Sequence, residues 1–249
     1  MGVSVLSAAG IEQMVFVTAE GKDALVNYFR PSPGLEAYLE ATGKPDLLRQ
    51  VQQVVRMAEV FEVRQDEALG LGHALLQAKP AVGDQDFAVL LGDDIIDSER
   101  PAIAQLMDGR AEGQAVVALM EVPHEETQRY GVCAGEMVNP TRMAVSAMVE
   151  KPPPEEAPSR FAIVGRYVLP ADIWERLEAT TPGRGGEIQL TDAIASLAAE
   201  GRVHGQVFSG ERFDTGNVVG LIRASIHYAL KRPDLAPSIR DLLAEMSRR

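Results

Sequence analysis

Three carboxylates stand directly behind a short apolar run, since Phe87 to Leu91 (FAVLL) is followed by Gly92 and then by Asp93, Asp94 and Asp97. The run is too short for a helix and predicts a strand, so the acids fall at a strand's carboxyl end. In an open α/β sheet ligands bind in the crevice beyond those ends. A carboxylate there can hold a hard cation such as Mg²⁺ against a phosphate; the competing reading is a helix cap in solvent. Asp214, in Phe213-Asp214-Thr215-Gly216, lies between a strand and a helix and can supply a second carboxylate to a cation held by Asp93, although alone it reads as a cap. Glu150 and Lys151 end a strand ahead of Pro152, Pro153 and Pro154. They read as a solvated strand end or as two charged heads facing a cleft, and the stiff proline loop adds support to the second.

The segment Gln65 to Ala74 (QDEALGLGHA) places Gly70 and Gly72 between a strand and a helix, where glycine lets backbone approach a ligand. Gln65 offers an amide donor and an acceptor, which suits a nucleobase edge. A plain turn opening a helix is one alternative. A dinucleotide fingerprint with Asp93 as its acid is another, and it fails at the third glycine, where Leu75 stands, and for want of an early βα turn. The four histidines, His73, His124, His204 and His227, show no zinc spacing, and there is no GxSxG elbow.

These residues need a scaffold that brings strand ends together. Met14 to Thr18, Val60 to Arg64 and Phe87 to Leu91 read as strands. Lys22 to Phe29, a stretch through LLRQVQQVVRM capped by Asp46, and Gly72 to Ala78 read as helices. Alternation of this kind predicts a largely parallel sheet with helices on both faces. After Ala115 to Met120 the pattern turns to strands at Tyr130 to Ala134, Val145 to Glu150 and Phe161 to Leu169, a mixed and partly antiparallel region. Helices follow at Ala171 to Glu178 and Ile188 to Ala199, then a strand near Val203 to Phe208, and helices over Val218 to Leu230 and Pro237 to Met246. Pro31 to Gly34 and Lys151 to Pro158 read as loops, and no Gly/Ser-rich linker divides the chain, so residues 1–249 are taken as one domain.

With 249 residues, 46% of them hydrophobic, the chain can bury one sizeable core. A net charge of -12 argues against nucleic acid or an anionic membrane as the main partner. The single cysteine, Cys133, reads as a small core residue and suits a reducing cytoplasm. No apolar stretch has the length of a membrane span, and the start lacks the basic region of a secretory signal.

Taken in order, Gln65 to Ala74, Gly92-Asp93-Asp94, Tyr130-Gly131-Val132, Val149-Glu150-Lys151-Pro152, Val164 to Leu169, Gly186 to Ala193 and Phe213 to Gly216 resemble the bacterial UTP:glucose-1-phosphate uridylyltransferases. RQDEALGLGHA with GEIQLTDAI separates this family from its thymidylyl and adenylyl relatives. The resemblance implies a Rossmann-like nucleotidyltransferase fold. It implies a reaction in which the phosphate of glucose 1-phosphate attacks the α-phosphorus of UTP and releases pyrophosphate. Carried over by motif, Gln65 and Gly70 read the uracil, Asp93 and Asp214 hold Mg²⁺, Gly131, Glu150 and Gly165 meet the sugar, and Lys151 meets its phosphate. Dimers or tetramers are common among these relatives, so a homo-oligomer is a further expectation.

The match also carries a departure. The family's opening strand, its G-x-G-T-R loop that wraps the triphosphate with backbone N–H groups, and its P-K-E segment have no counterpart; the sequence opens about fifty residues into the family pattern. That start corresponds to a helix ending at Ala8-Ala9-Gly10. The expectation is therefore a domain without the first strand and triphosphate loop. Besides uridylyl transfer, two readings stay open: a non-catalytic sugar-nucleotide-binding or remnant protein, and, more remotely, an NAD-dependent oxidoreductase.

Overall fold

The structure, a computed structural model, describes residues 9–22 and 26–248. The first part of the described chain comprises β1 (Gln13–Thr18), α1 (Pro33–Ala41), α2 (Pro45–Arg56), β2 (Glu59–Arg64) and α3 (Leu71–Val82). Next come β3 (Phe87–Leu90), β4 (Asp94–Asp97), α4 (Ala102–Met107), β5 (Ala115–Glu121), β6 (Gly131–Asn139), β7 (Arg142–Glu150) and β8 (Phe161–Leu169). The chain continues through α5 (Ile173–Ala179), α6 (Leu190–Ala199), β9 (Val203–Val207), β10 (Glu211–Asp214), α7 (Val218–Leu230) and α8 (Ala236–Met246).

Six strands form the main sheet, in the order β3-β8-β5-β9-β7-β6. β5 and β9 pair parallel, while β8 is antiparallel to β3 and β5, and β7 to β9 and β6. In direction, β3, β5, β9 and β6 therefore run together against β8 and β7. The expected mixed, mostly parallel sheet holds in strand direction, although β8, between β3 and β5, and β7, between β9 and β6, make four of the five neighbouring pairs antiparallel.

Ala115 to Leu119 of β5 are all 0% exposed, and alternate residues serve opposite faces. Ala115, Val117 and Leu119 pack with Leu75 of α3, Trp174 of α5 and Ile194 of α6. Val116 and Ala118 pack with Ile103 and Leu106 of α4. Helices thus cover both faces, which is why this strand reads as an unbroken apolar run rather than an alternating one.

Two smaller ribbons flank the sheet: β1 with β2, parallel, and β4 with β10, antiparallel. Among the described residues β1 pairs only with β2, and β3 only with β8. Both strands line one cavity of about 1580 Å³, with Met14, Phe16, Leu75 and Val89 among its apolar walls and Gln65 and Asp93 on its border.

Several local readings need correction. Asp46 does not cap its helix: Lys44 is the N-cap, Pro45 opens the first turn, and Asp46 sits inside that turn, where its charge suits the helix dipole. The loop expected at 31–34 runs into α1, which Pro33 opens. Asp94 and Asp97 bound a strand, β4, rather than capping a helix. The helix expected over 22–29 falls partly outside the described residues; within them Val26 and Asn27 are helical, Lys22 is not, and Tyr28 and Phe29 form a turn. The helix equivalent to residues up to Gly10 lies mostly outside them too.

Candidate functional site

Asp93 occupies the turn between β3 and β4, and Asp214 closes β10, whose pairing with β4 sets Asp214 opposite Asp94. The backbone N–H and the hydroxyl of Thr215 both donate to the Asp93 carbonyl, at 2.7 and 2.8 Å, and tie the two turns together. A Cβ on Gly216 would lie 2.9 Å from Asp93 Oδ2 and 3.1 Å from Asp214 Oδ1. Both carboxylates therefore converge on one point, and only glycine leaves it open. Among the described residues no group of three or more His, Cys, Asp or Glu side chains gathers to hold a metal. Two carboxylates completed by phosphate oxygens and water are a common arrangement for Mg²⁺, so the pair fits a divalent cation shared with a polyphosphate. Arg129 Nη2, 3.7 Å from Asp214 Oδ2, adds a partly exposed positive charge beside it.

Glu150 ends β7 opposite Gly131, the first residue of β6. Thr191, in the first turn of α6, donates its hydroxyl to Glu150 Oε2 at 2.6 Å. A Cβ on Gly131 would meet both of those oxygens at 3.1 Å, so glycine is what lets β6 pass the pair. Asp192 follows, its carboxyl pushed up by burial and by the Glu150 charge. Lys151 is the one described non-glycine residue with positive φ, 44°, and its backbone N–H donates to the Tyr130 carbonyl at 3.0 Å. A left-handed lysine costs about 1 kcal/mol, a strain that cross-strand bonds can hold in place. Its ammonium lies 3.3 Å from Glu150 Oε1 and stays half-exposed, so the contact orients more than it stabilises.

Gly165, in the middle of β8, donates its N–H to Asp94 Oδ2 at 2.6 Å, and a Cβ there would come within 2.7 Å of the same oxygen. Its backbone is thus engaged with a buried acid. Gly70 has φ 93°, and its Cβ would lie 2.7 Å from that of Glu187. The loop it closes and the first turn of α3 are zipped to residues 187–188 by Gly72 N–H to the Ile188 carbonyl, 2.9 Å, and Ile188 N–H to the Leu69 carbonyl, 2.8 Å. Gln65 turns its amide inward, donating to the Gly70 carbonyl at 3.3 Å and lying 3.0 Å from His73 Nδ1. Residues 187–191 therefore connect the Gln65–Gly70 loop to Glu150 through Thr191.

Asp94, Arg212 and Tyr130 are the residues whose weight the sequence reading missed. Asp94 is 4% exposed and ion-paired to Arg212 Nε. Burial opposes the Arg212 charge, the Asp94 carboxylate outweighs burial, and the guanidinium is held above its ordinary range. The available signal was the pair of acids at 93 and 94, of which only one can point outward from a tight turn. Cys133 is buried as expected, and burial pushes its thiol up to about 12, so it is inert near neutral pH.

Paired carboxylates at the β4–β10 ribbon and a lysine at the end of β7 suit phosphoryl-group positioning. The family comparison agrees: residues 2–231 match the model described as Nucleotidyl transferase, and the chain belongs to that family. Within it the similarity is specific. The chain is 44% identical over 241 residues to UTP--glucose-1-phosphate uridylyltransferase of Staphylococcus epidermidis, across 96% of this chain and 84% of the relative. The solved structure of UTP-bound UGPase from Acinetobacter baumannii superimposes with a TM-score of 0.87 at 38% identity, covering 98% of this chain and 86% of that one. A UDP-glucose pyrophosphorylase complexed with UDP-glucose gives a TM-score of 0.82 at 37% identity over 93% of this chain and 86% of its own. The resemblance read from seven motifs is borne out.

Proposed function

We propose that this chain transfers the uridylyl group of UTP to glucose 1-phosphate, forming UDP-glucose and pyrophosphate. The observation that carries the site assignment is the convergence of Asp93 and Asp214 on the open point above Gly216. In the reaction a phosphate oxygen of glucose 1-phosphate attacks the α-phosphorus of UTP, the bond to the bridging oxygen breaks, and pyrophosphate departs with its electron pair. No covalent enzyme intermediate is needed; positioning and charge neutralisation supply the rate. Asp93 and Asp214 would hold Mg²⁺, which neutralises phosphate charge when bound.

The rest falls to the chain's own groups. Lys151 brings its ammonium to the sugar phosphate and offsets charge as the new bond forms. Glu150, fixed by Thr191, accepts hydrogen bonds from sugar hydroxyls, and the backbone at Gly131 and Gly165 meets the hexose. Gln65 offers its amide to the uracil once it releases His73, beside Gly70. Burial of the lone cysteine fits a cytoplasmic setting.

The test is pyrophosphate release by the 249-residue chain with UTP, glucose 1-phosphate and Mg²⁺, with TTP and other hexose phosphates as competitors. Turnover selective for UTP and glucose 1-phosphate is expected, with loss in Asp93→Asn. One rival reading is sugar-nucleotide binding without turnover. UDP-glucose heat in calorimetry with no pyrophosphate release would establish that rival instead.

A further inference from the structure

Arg212 joins three segments that carry candidate site residues without itself reaching the open point between the carboxylates. It lies on β10 opposite Ile96, so its side chain meets Asp94, two residues back on the same face of β4. Its Nε donates to Asp94 Oδ1, while the other Asp94 oxygen accepts the Gly165 N–H at 2.6 Å. Its Nη1 donates to the Tyr130 hydroxyl at 3.2 Å, and its guanidinium sits 5.4 Å from the centre of the Tyr130 ring. Tyr130 precedes Gly131, and its carbonyl accepts the N–H of the strained Lys151. Arg166 closes the cluster from behind, donating to the carbonyls of Asp94, Leu91 and Gly165.

The Arg212 side chain is 12% exposed and that of Asp94 is 5% exposed. A buried pair of this kind often contributes little net stability compared with an apolar pair of the same shape, so its presence points to a geometric task. Its contacts all run towards Gly131, Lys151 and Gly165, the sugar-facing group, and none runs to the Gln65–Gly70 loop. We infer that Arg212 is a positioning residue for the sugar-phosphate half of the site, acting through Asp94 on Gly165 and through Tyr130 on Gly131 and Lys151. This rests on the uridylyl-transfer reading above.

The experiment is steady-state kinetics with each substrate varied in turn, on Arg212→Lys, Tyr130→Phe and the double variant Asp94→Asn with Arg212→Met. The double variant removes both charges together, while the amide carbonyl introduced by Asp94→Asn can still accept from Gly165, so it keeps the fold if the single changes do not. Expected are a rise of about tenfold in KM for glucose 1-phosphate, a lower kcat, and a KM for UTP within about twofold of the wild type. A purely structural role would reduce the folded, active fraction and lower kcat with both KM values unchanged. That pattern, or a glucose 1-phosphate KM equal to wild type in any folded variant, overturns the inference. An inactive wild-type chain would instead remove the uridylyl-transfer reading, and the inference with it.

Discussion

Two parts of this molecule are built from strands that look alike in sequence and behave differently in space. β5, AVVALME, is buried on both faces and hydrogen-bonded on both edges, between β8 and β9. β1, QMVFVT, is also largely apolar and richer in β-branched residues, yet only Thr18 in it is buried, and among the described residues its one partner is β2. The helices differ too: α2, which precedes β2, has no buried residue, whereas α6 buries Leu190, Ala193, Ile194, Leu197 and Ala198. Strand propensity is at least as high in β1, so neighbours make the difference. The sugar-side candidates Gly131, Glu150, Lys151 and Gly165 all stand on strands of the six-stranded sheet or at their ends. Gln65 alone hangs from the β1–β2 ribbon. The candidates for the sugar side are thus the ones the main sheet supports.

The sharpest way to break this comparison is to cut side chains from the cores of the two regions. Trp174, 2% exposed, stacks on Phe87 at 4.4 Å and donates its indole N–H to the Gly83 carbonyl. Trp174→Ala is expected to lower unfolding stability by about 3–5 kcal/mol in urea titration. Val15→Ala in β1 should lower it by less than about 1.5 kcal/mol, because the site is already half open to the cavity. Similar losses in the two variants would show that the ribbon is as tightly packed as the sheet.

A second test asks whether the strained lysine is retained for chemistry or for the fold. Lys151→Ala should cut kcat/KM by about a hundredfold, roughly 2.7 kcal/mol of barrier. Lys151→Gly relieves the φ of 44° and should stabilise the protein by up to about 1 kcal/mol while losing the same activity. A glycine variant that unfolds more easily would mean that the lysine side chain, not its charge at the site, is what the fold requires.

Amide exchange separates the regions without mutation. Val116, Val117 and Leu119 should exchange at the rate of global unfolding. Val15 and Val17 should exchange at least about a hundredfold faster, through local opening of the ribbon. Equal protection would sink the idea that β1 and β2 open on their own.

What could be read in advance follows the same division. β8 and α7 were delimited correctly at Phe161 to Leu169 and Val218 to Leu230, because period and punctuation agree at both ends. Asp93, Asp214, Glu150 and Lys151 were recognisable as strand-end charges, since the position after a strand is a local property. The partners were not readable. That Asp94 turns inward to Gly165 and Arg212 depends on β8 and β10 arriving from 71 and 118 residues away, and no spacing within β4 encodes it. Likewise β10 was missed because it has four residues and, among the described residues, pairs only with β4, and the cap assigned to Asp46 ignored the preference of Pro45 for the opening turn.

The smallest effect concerns how the β4–β10 ribbon is fastened to the C-terminal helices. Asp97, at the far end of β4 from Asp94, lies 2.6 Å from His227 Nε2 and 2.7 Å from Lys231 Nζ, both on or just after α7. The Lys231 ammonium first, and His227 second, hold the Asp97 carboxyl below the usual carboxylate range, with burial working in the opposite direction. An acid whose pKa is lower in the folded than in the unfolded chain stabilises the fold above its unfolded value, about 3.9, and loses that contribution as pH falls through the folded value. Wild-type stability should therefore decline below about pH 4 more steeply than that of Asp97→Asn. Lys231 is half-exposed, so the difference at neutral pH should be only about 0.5 kcal/mol. Urea midpoints from about pH 3 to 7 measure it. Parallel curves for the two proteins would mean that Phe213, tilted against His227 at 4.8 Å, fastens α7 to the ribbon without help from the charges.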